Sequence, residues 1–397
     1  MTLLPALLGG LLSLALLVLA VPVAVLAVQV AAACLPRRSA SAGAAQRPTV
    51  AVLVPAHNER AGIAATVRGL RAQLRPGDRL LVVADNCGDE TAALARAEGA
   101  EAIERQHATE RGKGYALAFG VGHLRAAPPE VLVIVDADCS LDEGSLDMLA
   151  AACARHAAPV QALDLMVCGE ARGLKQRVAE FAWRVKNWVR PRGAARLGLP
   201  CPLMGTGMAF PWALIEGARL ASGSLVEDMQ LGLELARAGH APVFCEQARV
   251  TSRFPDSAEA SASQRARWEH GHLGLIGQQL PPLLTAAWRQ RDPRLLAMAL
   301  DLSVPPLALL VMLVAGSWLA AAVLAAFAAA GVVWWLASGL LGLLAAAVLA
   351  AWVGWGRTLL SAWDLLGLPW YVLSKLSLYR RFWSSRRQKD WVRTDRE

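Results

Sequence analysis

No two cysteines in the sequence stand at CxxC spacing. The seven present (Cys34, Cys87, Cys139, Cys153, Cys168, Cys201 and Cys245) are odd in number and widely separated. That pattern argues against a disulfide framework or a zinc site and fits reduced thiols. Charge is missing from two long stretches, Leu3 to Leu35 and Leu302 to Trp355. Uncharged apolar runs of this length exclude a purely soluble protein. The amino terminus also lacks the basic start of a secretory signal, and its apolar run is long enough to span, so a retained anchor is expected rather than a cleaved leader. The later apolar stretch has no charged residue to line a polar path through a bilayer. There is no internal repeat.

What is present is a chain of 397 residues with a hydrophobic fraction of 55% and a formal net charge of +8. Much of the basic charge lies beside the apolar runs, which suits the cytosolic side of a membrane better than nucleic acid. Arg37 and Arg38 follow the first run. Lys375, Arg380, Arg381, Arg386, Arg387, Lys389, Arg393 and Arg396 crowd the tail. Leu302 to Phe327 and Val332 to Trp355 are each long enough to span, with Gly331 near the turn and with Asp301 and Arg357 bracketing the pair. The positive-inside rule predicts an external amino terminus with the middle of the chain and the tail inside. The expected division is an anchor over residues 1–36, a cytosolic catalytic domain over 48–280, and a membrane region over 281–397. Ser39 to Arg47 reads as a linker. Trp363 to Trp383 mixes aromatic and basic residues and reads as interfacial. Leu174 to Val189 carries an apolar helical stripe ringed by Lys and Arg, which suits either a membrane interface or a solvated surface helix packed on a core.

From Thr49 onward strands and helices alternate. Val50 to Val54, Leu80 to Ala84 and Val131 to Val135 read as buried strands, and Ala61 to Leu74, Glu90 to Ala97 and Gly112 to Leu124 as helices. The expected fold class is α/β, a mostly parallel sheet with helices on both faces, plus transmembrane helices. Ligands in such sheets bind at the carboxyl ends of the strands. Asn58, Glu59, Asp85, Asp136 and Asp138 fall there.

Asp136 and Asp138, one residue apart after a buried strand, can share a hard divalent cation with a diphosphate; such a pair also occurs as ordinary turn aspartates. Glu227 and Asp228 open a helix, where carboxylates also complement the dipole. Gln264, Arg267 and Trp268 offer an amide, a phosphate-pairing guanidinium and a flat ring for a sugar, or merely a basic surface helix. Met204 to Met208 holds two glycines that permit close backbone approach, as a plain turn also would. In Glu269-His270-Gly271-His272 the two histidines do not share a helical face, so a metal role is not expected.

Taken in order, these motifs resemble the family 2 glycosyltransferases of GT-A (Rossmann-like) fold, in particular the membrane-bound branch that includes cellulose and hyaluronan synthases and ceramide glucosyltransferase. Val-Pro-Ala-His-Asn-Glu, with Pro55, Asn58 and Glu59, resembles that family's opening. Asp85 to Thr91 resembles its Asp-containing turn, and Arg111 to Leu117 its basic-glycine segment. The DxD at Asp136 and Asp138, the Glu-Asp at Glu227 and Asp228, and the QxxRW at Gln264, Arg267 and Trp268 complete the set, over about residues 48 to 275. Gly88 stands where many members have Ser, and Val226 where Thr usually precedes Glu-Asp.

The resemblance implies that Asp85 contacts the base or ribose, Lys113 the diphosphate region, and Asp138, with Asp136 beside it, a metal (Mg2+ or Mn2+). It makes Asp228 the general base, with Gln264, Arg267 and Trp268 closing over diphosphate and acceptor. The expected reaction is an inverting displacement from a nucleotide-sugar, a UDP-sugar foremost, to a lipid-linked or glycan acceptor. The expected setting is the bacterial inner membrane, in exopolysaccharide or envelope glycan assembly. A processive polysaccharide synthase subunit working with export partners is the alternative. A non-catalytic nucleotide-sugar sensor is disfavoured because the DxD and Asp228 are both present.

Overall fold

The computed structural model describes residues 3–36, 47–169, 173–224, 226–255, 258–328, 331–376 and 378–379. Arg37, Arg38, most of the linker and the basic tail from Arg380, with Trp383, lie outside them. The chain divides into two compact units. One comprises residues 38–170, 198–271 and 388–397; the other comprises 1–37, 171–197 and 272–387.

The first unit is built on an eight-stranded sheet: β1 (Val50–Ala56), β2 (Arg79–Asp85), β3 (Glu101–Arg105), β4 (Val131–Ile134), β5 (Ser140–Leu141), β6 (Val160–Val167), β7 (Met208–Pro211) and β8 (Val243–Arg253), in the order β3-β2-β1-β4-β7-β6-β8-β5. The expected strands form, and β1 to β4 run parallel to one another. β7 is antiparallel to β4 and β6, β6 is parallel to β8, and β5 is antiparallel to β8. The sheet is therefore mixed.

Period-two alternation gives each strand two apolar faces, as a sheet covered on both sides requires. Val50, Val52 and Val54 pack with Ile63, Val67 and Leu70 of the helix Ile63–Arg71 and with Leu146 and Leu149 of Ser145–His156. Ala51 and Leu53 face the other way, onto Leu117, Val121 and Leu124 of Lys113–Leu124 and onto Leu231 and Leu235 of Glu227–Arg237. All four residues of β4 are buried. A fully buried side chain of this kind contributes about 1.5–3 kcal/mol, so the strand that delivers the DxD is firmly seated.

Among the described residues, the second unit contains three helices long and apolar enough to cross a membrane: Ala6–Ala33, Leu307–Phe327 and Gly331–Gly356. At about 1.5 Å rise per residue the shortest reaches about 30 Å, the thickness of a hydrocarbon core. The stripe expected over Leu174 to Val189 is present, and its apolar side is used on protein. Val178, Phe181, Val185 and Val189 pack with Val23, Leu26 and Val30 of the first long helix and with Leu310, Val314 and Leu344 of the others. Helices Leu174–Arg184 and Arg190–Arg196 are joined by a wider π-turn, Val185–Val189, that re-phases the stripe. At Gly193 any Cβ would lie 1.9 Å from the Gln29 carbonyl oxygen, so the close crossing demands glycine.

Beside that crossing lies a buried polar knot. Arg190 Nη2 meets Asp301 Oδ1 at 2.9 Å, Arg190 Nε donates to Gln29 Oε1 at 3.0 Å, and Gln29 Nε2 donates to Asp301 Oδ1 at 2.7 Å. Each group finds a partner, as buried charge requires. Farther on, Trp363, Leu366, Trp370, Leu373 and Leu376 stand exposed around the short helix Leu368–Ser374.

Candidate active site

The site is assembled where β1, β2 and β4 end at their carboxyl edge. β4 runs into Val135, after which the chain turns through Asp136, Ala137 and Asp138. That turn is pinned from two sides. The Asp136 amide donates to Thr206 Oγ1 at 3.1 Å, and Thr66 Oγ1 donates to the Ala137 carbonyl at 2.8 Å. Ligating atoms of Asp136, Asp138 and Cys139 lie within 4.8 Å of one another. Burial and the nearby Asp136 push the Cys139 thiol far up, so it stays neutral and belongs to the core. The donor set is thus two carboxylates, suited to a hard divalent cation that takes its remaining ligands from water or a diphosphate.

Lys113 opens the helix Lys113–Leu124. Its Nζ forms an ion pair with Asp136 and donates to the Gly205 carbonyl at 2.8 Å. Burial works against its charge, but Asp136, Glu227 and Asp228 outweigh that and hold its pKa above the ordinary lysine value. Lys113 is therefore a fixed cation among carboxylates.

Gly205 adopts φ +94°, and a Cβ there would stand 3.4 Å from Asp228 Oδ2 and 3.6 Å from Lys113 Nζ. The lysine and the Asp228 carboxylate thus both border the Met204–Met208 loop at Gly205. Gln161, fully buried on β6, clamps this loop: its Oε1 accepts from the Met204 amide at 2.8 Å and its Nε2 donates to the Thr206 carbonyl at 2.9 Å. Glu227 and Asp228 occupy the first turn of Glu227–Arg237. Burial, then the charge of Asp228, raises the Glu227 pKa, and Lys113 opposes the rise.

Around these groups opens a cleft of about 210 Å³. Pro55, His57, Glu59, Asp85, Lys113, Asp136, Asp138, Gln264 and Arg267 line it. His57 Nδ1 donates to the Asp85 carbonyl at 2.7 Å, so its ring is positioned by the turn that follows β2. Gln264 and Arg267 project from the helix Ala258–Gln290, three residues apart on one face. The Gln264 Oε1 is buried with no partner among the described residues, and burial lowers the pKa of Arg267.

Of the expected site residues, Asn58, Glu227, Asp228 and Trp268 do not line this cleft. Asn58, at φ +54°, accepts the Gly88 amide on Oδ1 at 2.8 Å and so braces the 85–89 turn. Trp268 follows Arg267 on the helix, half-buried. Sequence reasoning singled out the Met204–Met208 loop for its glycines but not for Thr206 within it, and passed over Gln161 and Arg105. A glutamine inside the apolar run of β6 is the one local cue that would have singled out Gln161.

The chain matches the family described as "Glycosyltransferase like family 2" over residues 48–271. An uncharacterized glycosyltransferase of Mycobacterium tuberculosis (strain ATCC 25618 / H37Rv) is 35% identical over 102 residues, covering 26% of this chain and 42% of that protein. The probable glycosyltransferase YdaM of Bacillus subtilis is 24% identical over 239 residues, covering 58% of this chain and 56% of its own length. The chain thus spans less than two thirds of either relative. Among solved structures, the mannosyltransferase PcManGT of Pyrobaculum calidifontis, in complex with GDP-Man and Mn2+, superposes with a TM-score of 0.52 at 20% identity, covering 85% of this chain and 98% of that one. That likeness is one of fold, and the fold is GT-A.

Proposed function

The chain belongs to the glycosyltransferase like family 2, and from that premise we propose that it transfers a sugar from a nucleotide-sugar to an acceptor held at a bacterial inner membrane. The observation that carries this reading is the cleft. One opening gathers Asp85 from β2, Lys113 from a helix start, the carboxylates of Asp136 and Asp138, and Gln264 with Arg267. Asp228 stands beside the lysine at Gly205, both groups bordering the same point next to that residue.

A donor's nucleoside end is assigned to Asp85. Its diphosphate is assigned to Lys113 and Arg267, two cations whose geometry favours phosphate oxygens. A divalent cation, Mn2+ or Mg2+, would be held by Asp136 and Asp138 and would offset charge on the departing diphosphate. The GDP-Man and Mn2+ of the Pyrobaculum protein belong to that protein; here the donor class rests on the cleft's own residues.

The mechanism is a single displacement with inversion. The acceptor hydroxyl gives its proton to the Asp228 carboxylate, the new bond forms from that oxygen to the anomeric carbon, and the bond to the diphosphate oxygen breaks. Glu227, with its raised pKa, takes up a proton more readily than an ordinary glutamate. Sharing a proton at Glu227 limits repulsion next to the ionised base. The acceptor is a lipid-linked or glycan molecule delivered at the bilayer, with the catalytic unit on the cytosolic side. Single transfer is favoured over processive synthesis because three candidate spans among the described residues are few for a private channel, and the stretch Leu302 to Trp355 carries no charged residue to line a path for a polymer.

The test is to incubate the purified full chain with a panel of nucleotide-sugars, Mn2+ and a lipid extract, and to follow release of nucleoside diphosphate. Release from one nucleotide-sugar above a protein-free control is expected. No release from any of them would refute the proposal.

A further inference from the structure

Arg105 ends β3, and the parallel register sets it directly opposite Asp85, the last residue of β2. Its guanidinium donates through Nη1 to Asp85 Oδ1 at 2.8 Å and to the Glu110 carbonyl at 2.7 Å, and through Nη2 to Glu110 Oε2 at 2.9 Å. The same group lies over the Tyr115 ring, 5.5 Å from its centroid. The Arg105 and Asp85 side chains are only 10% and 7% exposed. One side chain thus ties together the end of β2, the segment 106–110 and the first turn of the helix that begins at Lys113. Two further bonds run alongside it: Gln106 Nε2 donates to the Cys87 carbonyl at 3.1 Å, and the His107 amide donates to Asn86 Oδ1 at 2.8 Å.

We propose that Arg105 is the positioning residue for the nucleoside end of the donor: it fixes the Asp85 carboxylate so that one oxygen faces the nucleotide. The assignment rests on reading the cleft as a nucleotide-sugar site. Asp85 lines the cleft and Arg105 does not, so the arginine acts through the aspartate. With Oδ1 engaged by Nη1, Oδ2 is left to accept an N–H of a base or an O–H of a ribose. An aspartate at a strand end without such a partner would exchange rotamers and hydrate, and binding would have to order it again. The planar guanidinium fork holds carboxylate, carbonyl and ring at once, which a lysine ammonium does not reproduce.

The test uses the full chain in detergent or nanodiscs, with UDP, GDP and inorganic pyrophosphate as calorimetric probes, each with Mn2+. Wild type is expected to bind one of the two nucleoside diphosphates more tightly than pyrophosphate. Arg105→Gln is expected to weaken that nucleoside diphosphate about 10- to 100-fold, the range for losing a hydrogen bond to a charged group, and to leave pyrophosphate unchanged. In turnover the donor KM rises by a similar factor while kcat stays within a few fold. Arg105→Lys recovers part of the affinity. In an Asp85→Asn background the Arg105→Gln change adds little, because the group it positions is already altered.

Equal losses for pyrophosphate and nucleoside diphosphate would overturn the assignment, since the whole cleft would then have been disturbed. Full additivity with Asp85→Asn would overturn it as well. If Arg105→Gln does not fold, the pyrophosphate comparison on Arg105→Lys decides the question in the same way. A wild type that binds neither nucleoside diphosphate removes the cleft reading, and this assignment falls with it.

Discussion

Asp228→Asn separates chemistry from architecture. The substitution keeps size and shape and removes the negative charge and, with it, the ability to take a proton. Asp228 sits in the first turn of Glu227–Arg237, where a carboxylate contributes about 0.3–1 kcal/mol through the helix dipole. Removing it also relieves repulsion with Glu227, whose pKa is raised partly by Asp228, and so offsets some of that loss. Lys113 keeps its ion pair with Asp136. Net stability should therefore change by less than about 1 kcal/mol. Loss of a general base, by contrast, costs about 10²- to 10⁴-fold in rate, or roughly 3–5 kcal/mol of barrier. The assay is turnover at saturating donor, with donor affinity and melting temperature measured on the same preparation. Expected are a fall in kcat within that range, unchanged donor affinity and a nearly unchanged melting temperature. Near-normal turnover would remove Asp228 from the chemistry, and a melting temperature that collapsed along with activity would make its role architectural.

Three further outcomes are expected. Gly205→Ala should destabilise by about 1–3 kcal/mol, because φ +94° strains any residue with a Cβ even though the added atom meets only ordinary contacts; thermal unfolding against Gly217→Ala, which is unstrained and open, checks it, and equal melting temperatures would contradict it. Asp301→Ala should cost roughly 3–5 kcal/mol by leaving Arg190 buried without its counter-charge; an unchanged melting temperature in detergent would show that the knot contributes nothing. A reporter fused after Glu397 should be active only on the cytosolic side, as the basic residues flanking the apolar runs require, and an external tail would reverse the topology.

How far the sequence foretold the structure varies by element. β1, β2 and β4 were readable because strands covered on both faces are continuous apolar runs. β3 was not, because its Glu101, Glu104 and Arg105 make an edge strand look like a charged loop. The antiparallel run of β7 has no local signature, since strand direction depends on how the chain returns to the sheet. The DxD, the Glu-Asp pair and Lys113 were visible as motifs, and the fold brings them together. The roles of Thr206 and Gln161 were not legible, because they act on backbone groups 70 and 43 residues away. Arg105 pairs with Asp85 only once two strands align. The Leu174–Val189 stripe announced an apolar face, but not that the face would lie against the long apolar helices.

The most direct test of the central claim is metal-dependent donor cleavage at the Asp136–Asp138 turn. Nucleoside diphosphate release is measured for wild type and Asp138→Asn, first after chelation and then during Mn2+ titration. The account predicts that chelation abolishes wild-type release, that Mn2+ restores it, and that Asp138→Asn stays severely impaired at every Mn2+ concentration. Full activity in excess chelator, or an Asp138→Asn protein that behaves as wild type, would contradict it.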